Sequence, residues 1–174
     1  MKYLSIILCC LFIAANASSQ TTNPADFPYK KDPKIPAFKI LQSDSTWFAK
    51  DQLPKNYDYT VIIYFAPDCG HCQYTTGELV KKMDSLKNVS FVFVASAHKK
   101  LSELKEFYDH YKLAPYPNIR MGRDPEYQLL SFYHIESTPF VAIYDKKGMF
   151  VKSFDPRYGP VMEAGQLVEL VNKK

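Results

Sequence analysis

Glycine is scarce in this chain, with 6 among its 174 residues, and no stretch of the sequence forms a glycine-rich loop. Proteins that cradle a nucleotide phosphate in backbone N–H groups need such a loop, so that class is excluded. No internal repeat or low-complexity segment occurs either. Hydrophobic residues make up 47% of the chain and charged residues 23%, which is typical of a globular protein. The length therefore favours a single domain with a core of its own.

Charge of one sign is not concentrated anywhere along the chain. The formal net charge is +4, and the basic pairs Lys81-Lys82, Lys99-Lys100 and Lys146-Lys147 are scattered. A nucleic-acid-binding protein gathers its basic residues on one face or along one helix. We therefore expect these lysines to be solvated and expect no nucleic-acid partner.

Cysteine is also rare, and two of the four cysteines, Cys9 and Cys10, lie in an N-terminal segment with its own pattern. There, Lys2 precedes an apolar run over residues 3–15, and a small-residue cleavage site ends at Ala17. This order is typical of a secretory signal peptide. We expect residues 1–17 to be removed near Ala17 and the protein to be exported to the periplasm or cell envelope.

Two other interpretations of the N-terminus stay open. The segment could be retained as a membrane anchor, although its apolar run is short for a membrane span. It could instead be lipidated, but a lipoprotein needs a small residue directly before the modified cysteine. Leu8 precedes Cys9, and Cys9 precedes Cys10, so neither position fits. Both interpretations are less favoured than cleavage.

The hydrophobic pattern divides the rest of the chain into a leader and one α/β domain. Residues 18–36 are rich in Ser, Thr, Asn, Pro and Lys, which predicts a flexible leader, and the domain spans residues 37–174. Two continuous runs of β-branched and aromatic residues, 60–66 and 89–95, predict strands that are buried on both faces. Helical spacing follows each run, so a right-handed βαβ unit with a parallel pair of strands is expected.

Shorter elements complete the predicted sheet. The sequence predicts an N-terminal hairpin (38–41 with 46–48), a short helix (125–132), a C-terminal hairpin (140–144 with 149–154) and a closing helix through Met162, Leu167, Leu170 and Val171. Asp124 would cap the short helix, with Pro125 at its first position. A central sheet flanked by helices is therefore expected.

Removal of the signal peptide leaves one close cysteine pair, Cys69 and Cys72. Cys69 follows a predicted strand and begins a predicted helix, where free N–H groups and the helix dipole favour a thiolate. Cys72 lies about one turn further along and would be the more shielded of the two. An exposed attacking thiol with a resolving thiol behind it is what thiol–disulfide exchange requires. His71 would add positive charge next to the Cys69 thiolate.

Three alternatives to redox chemistry remain: a structural clip, a metal site, and an interaction protein whose partner binding does not depend on the cysteines. As a structural clip, a disulfide closing a loop of about four residues would contribute roughly 2 kcal/mol, against about 4.7 kcal/mol for a loop of 100 residues. A zinc site needs four ligands, and the remaining histidines, His98, His110 and His134, show no ligand spacing. The two thiolates could bind Cu(I), which is the main alternative function. The redox interpretation requires no metal and no organic cofactor.

The chain resembles the thioredoxin superfamily over roughly residues 36 to 172. The resemblance rests on the strand at 60–66, the motif Cys69-Gly70-His71-Cys72 at a helix start, and Ser137-Thr138-Pro139-Phe140 before a later strand. The tetrapeptide matches that of protein disulfide isomerases. The signal sequence and the extended N-terminal hairpin are more similar to the bacterial envelope branch, the TlpA-like proteins.

The resemblance implies a thioredoxin-like fold, a central mixed sheet with an N-terminal hairpin extension, and an exported thiol–disulfide oxidoreductase. Cys69 would attack, Cys72 would resolve, and the expected partners are protein or peptide thiols and disulfides, with a membrane redox partner as a further candidate. Pro139 would follow a cis peptide bond and face the cysteines, so that the backbone of Thr138 meets an extended substrate. A monomer is expected. Whether the protein reduces or oxidises its substrates is left open.

Four positions depart from the family pattern. Asp68 stands where the family usually has Trp, and its carboxylate would oppose the thiolate and partly offset His71. The others are Ile63 in place of a buried acid, Thr75 in place of a glutamate, and Gly77 in place of a proline. No residue is therefore identified as the proton acceptor for Cys72. Glu78 and Glu136 are candidates, although each is more typical of a surface carboxylate.

Overall fold

The computed structural model describes residues 27–173. Within them the chain forms a seven-stranded sheet, five α-helices and two short 3-10 turns. The strands are β1 (Lys39–Gln42), β2 (Trp47–Ala49), β3 (Tyr59–Phe65), β4 (Val89–Ser96), β5 (Ile119–Asp124), β6 (Phe140–Asp145) and β7 (Phe150–Phe154). The helices are α1 (Pro28–Lys31), α2 (Gly70–Lys81), α3 (Leu101–His110), α4 (Gln128–Tyr133) and α5 (Ala164–Asn172). The 3-10 turns are Lys50–Gln52 and Met83–Leu86.

The sheet is mixed, with strand order β2-β1-β5-β4-β3-β6-β7. Strands β3, β4 and β5 are parallel, whereas the pairs β1–β2, β1–β5, β3–β6 and β6–β7 are antiparallel. The expected βαβ unit is confirmed, because β3 and β4 pair in parallel over seven residues and α2 connects them. Both predicted hairpins are confirmed as β1–β2 and β6–β7, with ends that differ by a residue or so.

Both faces of the sheet are covered, which explains the continuous apolar runs of the central strands. In β3, Val61, Ile63 and Phe65 face a core built with α2, α3 and α5. Ile62 and Tyr64 alternate with them and face a second core, built with α1, α4 and the hairpin strands β1 and β2. A strand buried on both faces has no polar positions to alternate, so its sequence reads as one hydrophobic run.

Strand β5, which the hydrophobic pattern does not predict, lies between β1 and β4 in the sheet. Arg120, Gly122 and Arg123 interrupt its apolar pattern, so its sequence does not read as a strand. The glycine has a packing reason. A Cβ at Gly122 would lie 2.8 Å from the Leu41 carbonyl oxygen, closer than side chains approach backbone, so β1 can pair here only beside glycine.

The short helix before the C-terminal hairpin begins later than expected. Residues 125–127 form a turn, and α4 starts at Gln128 after Tyr127, whose φ of 54° lies in the left-handed region. The expectation of a helix from Pro125 with Asp124 as its N-cap is therefore wrong in position. The Asp124 carboxylate still caps the helix across the turn, because it accepts the N–H groups of Gln128 (3.0 Å) and Leu129 (2.9 Å).

The expected leader is packed onto the sheet wherever the structure describes it. Phe27, Tyr29 and Ile35 are all buried, with at most 7% of each residue exposed. The backbone pairs as well, since the Ile35 N–H donates to the Gly148 carbonyl at 3.1 Å. The predicted flexibility of residues 27–36 is thus wrong, because a few apolar side chains among polar ones anchor the segment. The expected signal peptide (1–17) and residues 18–26 lie outside the described residues.

Candidate active site

Cys69 lies at the N-terminus of α2, as the sequence predicts. Strand β3 ends at Phe65, and a turn closed by the Cys69 N–H and the Ala66 carbonyl (3.1 Å) leads into the helix. The Cys69 Sγ caps the helix by accepting the N–H of Cys72 at 3.3 Å. The sulfur thus replaces the oxygen of an ordinary capping side chain, in the place where a helix favours negative charge.

The two cysteines differ in exposure and in acidity. Both are free thiols, Cys69 half-buried and Cys72 only 1% exposed. Burial acts to raise the pKa of Cys69. Hydrogen bonds from the Cys72 thiol, the Thr138 side chain and the backbone N–H groups of Cys72 and His71 outweigh it, so the pKa is lowered. Burial, together with the hydrogen bond to Cys69, raises the pKa of Cys72 to about 12. Cys69 is therefore the thiol that ionises first.

We expect iodoacetamide to modify Cys69 and spare Cys72 in the reduced, folded protein at pH 8. Alkylation requires a thiolate that the reagent can reach. Cys72 is buried, so the reagent cannot reach it, and its pKa of about 12 keeps it protonated at pH 8. Peptide mass mapping after brief labelling measures the ratio of the two products. In guanidinium the ratio should approach one, and comparable labelling of both cysteines in the folded state would contradict the assignment.

The peptide bond between Thr138 and Pro139 is cis, as the resemblance implies. Strand β6 begins at the next residue and pairs with β3, and this pairing brings Thr138 beside the cysteine motif. The Thr138 carbonyl oxygen lies 3.6 Å from the Cys69 Sγ and accepts its S–H. Pro139 is buried. A polypeptide joined to Cys69 through sulfur would therefore pass close to the Thr138 backbone.

The remaining motif residues lie on the surface. Gly70 is exposed, and a Cβ added there would meet no atom within 4 Å, so packing does not require glycine at this position. His71 is exposed in the first turn of α2. Asp68 is exposed too, with 70% of its side chain accessible, and it forms an ion pair with Lys99 at 2.7 Å. Sequence reasoning identifies Asp68 but misses its partner.

Strand register is the signal that could have found Lys99. Strands β3 and β4 run in parallel with Phe65 beside Ala95, so both strands end at the same edge of the sheet. Neighbouring strands lie about 4.8 Å apart. Asp68 comes three residues after Phe65 and Lys99 four residues after Ala95, so their side chains can meet across the two loops.

Both candidate proton acceptors for Cys72 take part in ion pairs. Glu78 pairs with Lys81 one turn along α2, and Glu136 pairs with Arg157 at 2.9 Å. These contacts fit the surface role that their residue type favours. Thr75 lies one turn after Cys72 and is buried, and its hydroxyl has no hydrogen-bond partner among the described residues. The position where TlpA-like proteins often have glutamate thus holds a neutral side chain.

Potential metal ligands are sparse around the cysteine pair. Within residues 27–173, no group of three or more His, Cys, Asp or Glu side chains is placed to hold a metal ion. The sulfur pair of Cys69 and Cys72 is therefore the candidate ligand set, and it suits Cu(I), a soft ion that accepts few ligands. Across the same residues, no helix is both long and apolar enough to cross a membrane.

The sequence profile of a thioredoxin-like family matches residues 56–150, and the chain belongs to this family. The match covers β3, the cysteine motif, β4, β5 and the cis-proline segment. No curated protein matches the chain.

Solved structures with a similar fold include several bacterial redox proteins. A secreted disulfide oxidoreductase of Mycobacterium tuberculosis, homologous to Escherichia coli DsbE, superimposes with a TM-score of 0.63 at 18% identity, covering 77% of this chain and 93% of that one. M. tuberculosis DsbF superimposes with a TM-score of 0.62 at 21% identity, covering 77% of this chain and 92% of that one. An exposed lipoprotein thioredoxin of Streptococcus pneumoniae superimposes with a TM-score of 0.57 at 21% identity, covering 78% of this chain and 98% of that one. At these identities the comparisons establish the fold.

Proposed function

We propose that this protein is a thiol–disulfide oxidoreductase that exchanges the Cys69–Cys72 dithiol or disulfide with protein or peptide thiols. The observation that carries the proposal is the asymmetry of the pair. Cys69 caps a helix and has a lowered pKa, whereas Cys72 is buried behind it with a raised one. Family membership and the contact of the Thr138 carbonyl with the Cys69 Sγ add support. Cys69 and Cys72 would carry the chemistry, and Thr138 and Pro139 would position the substrate.

The reaction takes place in two exchanges. The Cys69 thiolate attacks one sulfur of a client disulfide, so that a mixed disulfide forms while the client S–S bond breaks and the other client sulfur leaves as a thiolate. Cys72 then gives up its proton and attacks the Cys69 sulfur. The intramolecular disulfide forms, and the second client thiolate leaves. The client has gained two electrons and, from solution, two protons. The reverse direction uses the same bonds.

We expect the reduced protein to open a disulfide-linked model peptide stoichiometrically and to become oxidised at Cys69–Cys72. Equilibration with glutathione buffers, followed by mass analysis of alkylated samples, would measure the reduction potential. A potential near −270 mV, as for thioredoxin, would assign a reductase, whereas one near −120 mV, as for DsbA, would assign an oxidase. Tight binding of one Cu(I) without peptide exchange would instead favour the copper-carrier function.

We propose further that the protein works in the cell envelope, as in the TlpA-like branch of the family. The signal-like N-terminus supports this location, and two of the structural neighbours are described as secreted or exposed proteins. Intact-mass analysis of the protein recovered from an envelope fraction would test it. A mature chain starting near Ser18 would support cleavage of the signal peptide. A chain that still carries residues 1–17 would contradict cleavage.

A further inference from the structure

An ion pair lies directly beside the attacking cysteine. Asp68 precedes Cys69, and consecutive Cα atoms are about 3.8 Å apart, so its carboxylate lies within the Debye length, about 10 Å at 0.1 M salt, of the sulfur that must become negative. Two like charges within that range oppose each other, so an unpaired Asp68 would act to raise the pKa of the thiol. The Lys99 Nζ lies 2.7 Å from the Asp68 Oδ1. The pair carries no net charge, so it opposes the thiolate less than an unpaired carboxylate would.

The Lys99 side chain is mostly buried, and hydrogen bonds hold its backbone. Its side chain is only 22% exposed, whereas that of Asp68 is 70% exposed. The Lys99 N–H donates to the Ser96 carbonyl at 3.0 Å, and its carbonyl accepts the Arg123 Nη1 at 3.3 Å. The ammonium group is therefore delivered to Asp68 by a loop that strand β5 supports from behind.

A second contact anchors the same loop. The Tyr127 hydroxyl and the His98 Nε2 are hydrogen-bonded at 3.1 Å, which ties the residue before Lys99 to the turn that precedes α4. These contacts fix the backbone of the loop, so formation of the ion pair costs mainly the side-chain entropy of Lys99. That entropy is a main reason why most exposed ion pairs contribute little.

Asp68 shares a groove with further titratable groups, most of which are acidic. Asp68 lines a groove of about 480 Å³ together with Glu103, Glu106 and His110 of α3. The Glu103 carboxylate accepts the Lys100 N–H at 2.6 Å, and Glu106 adds a further negative charge. On α2, His71 and the Cys72 thiol complete the set. Without Lys99, Asp68 would thus lie in a groove lined by carboxylates.

We propose that Lys99 is a positioning residue for thiol–disulfide exchange, which pairs with Asp68 so that this carboxylate does not oppose the Cys69 thiolate. The inference rests on the proposed function only in taking Cys69 as the attacking thiol. It also explains how aspartate is tolerated where the family usually has an aromatic residue. The charge comes from a separate loop, 31 residues further along the chain.

The test is the rate at which a neutral reagent, iodoacetamide, alkylates Cys69 in the reduced full-length protein at low salt and at a pH below the pKa of the thiol. In Lys99→Gln the rate should fall about two- to fivefold, the range expected for an exposed pair. In Asp68→Asn it should rise by a similar factor. The double variant should return close to wild type, and Lys99→Arg should restore most of the wild-type rate.

Salt and a matched control separate charge from packing. At 1 M salt the Debye length is about 3 Å, so the difference between Lys99→Gln and wild type should shrink. Lys146→Gln removes a lysine that pairs with Asp58 near the start of β3, a strand length from Cys69 and of the order of 20 Å away. It should alkylate at the wild-type rate.

Three results would overturn the proposal: an unchanged rate in Lys99→Gln at low salt, a slowing that persists at 1 M salt, or a failure of Lys99→Arg to restore the rate. Alkylation needs no client and no redox partner. If the variants behave as expected and the wild-type protein exchanges no disulfide, the proposed function fails while the role of Lys99 stands. If the wild-type protein exchanges disulfides and the variants alkylate at its rate, the role of Lys99 fails while the proposed function stands.

Discussion

Replacing Cys69 with serine is expected to reduce disulfide exchange to the rate seen without protein. A serine hydroxyl does not ionise in the range where the Cys69 thiol does, so the first attack on the client sulfur cannot occur. Cys72 cannot substitute for it, because Cys72 is only 1% exposed and its burial, which this substitution leaves in place, raises the pKa of its thiol. Reduction of a disulfide-linked peptide, followed by mass spectrometry, measures the loss.

The Cys72→Ala variant serves as the matched partner for this experiment. It keeps the attacking thiol and the backbone N–H that donates to the Cys69 sulfur, but it removes the thiol that resolves the mixed disulfide. We therefore expect a covalent complex between Cys69 and the peptide to accumulate, while Cys69→Ser forms none. Residual exchange in Cys69→Ser, or a stable adduct on Cys72, would contradict the division of roles between the two cysteines.

Replacing Tyr29 with alanine is expected to lower the free energy of unfolding by about 3 to 5 kcal/mol, the range found for large aromatic residues in cores. Tyr29 is only 3% exposed, and its ring packs against Tyr133 (5.5 Å between ring centroids), Phe140 (6.0 Å) and Phe150 (5.4 Å). Truncation leaves a cavity among these rings, which relax around it only partially. Denaturation by guanidinium at an unchanged m-value measures the loss.

Tyr74→Ala provides the control for stability, since Tyr74 is 64% exposed on α2 and its loss should change stability by less than about 0.5 kcal/mol. A chain that starts at residue 37 should be destabilised by more than Tyr29→Ala alone, because it also loses Phe27 and Ile35. If both changes cost less than about 1 kcal/mol, residues 27–36 would not be an integral part of the fold in solution.

The sequence reveals the centre of the molecule because its signals there are local. Strands β3 and β4 are buried on both faces, and burial of this kind leaves a short, uninterrupted run of β-branched and aromatic residues. Cys69 and Cys72 follow directly, at a spacing that one helical turn imposes. The position of Cys69 at the helix start and the greater shielding of Cys72 could be predicted, because a buried strand precedes the motif and Cys72 lies one turn further along the helix.

Strand β5 and the segment at residues 27–36 escape prediction because their stability comes from distant partners. Arg120, Gly122 and Arg123 have no strand pattern, yet β5 forms because β1 and β4 supply hydrogen bonds on both of its sides. Phe27 and Tyr29 are isolated apolar residues in a polar stretch, and they order because α4 and β6 present aromatic rings to them. The composition of a short stretch of sequence carries no information about contacts with distant residues.

The sequence by itself determined the fold class, the parallel pair of central strands and the placement of the two cysteines at the start of a helix. Each of these depends on residues that are close together in the chain. Only the tertiary structure decided what surrounds the Cys69 sulfur. The carbonyl of Thr138 reaches it because β6 pairs with β3, and the ammonium group of Lys99 reaches Asp68 because β4 ends at the same edge of the sheet. The electrostatic environment of a thiolate is a sum over neighbours in space, and strand pairing chooses those neighbours.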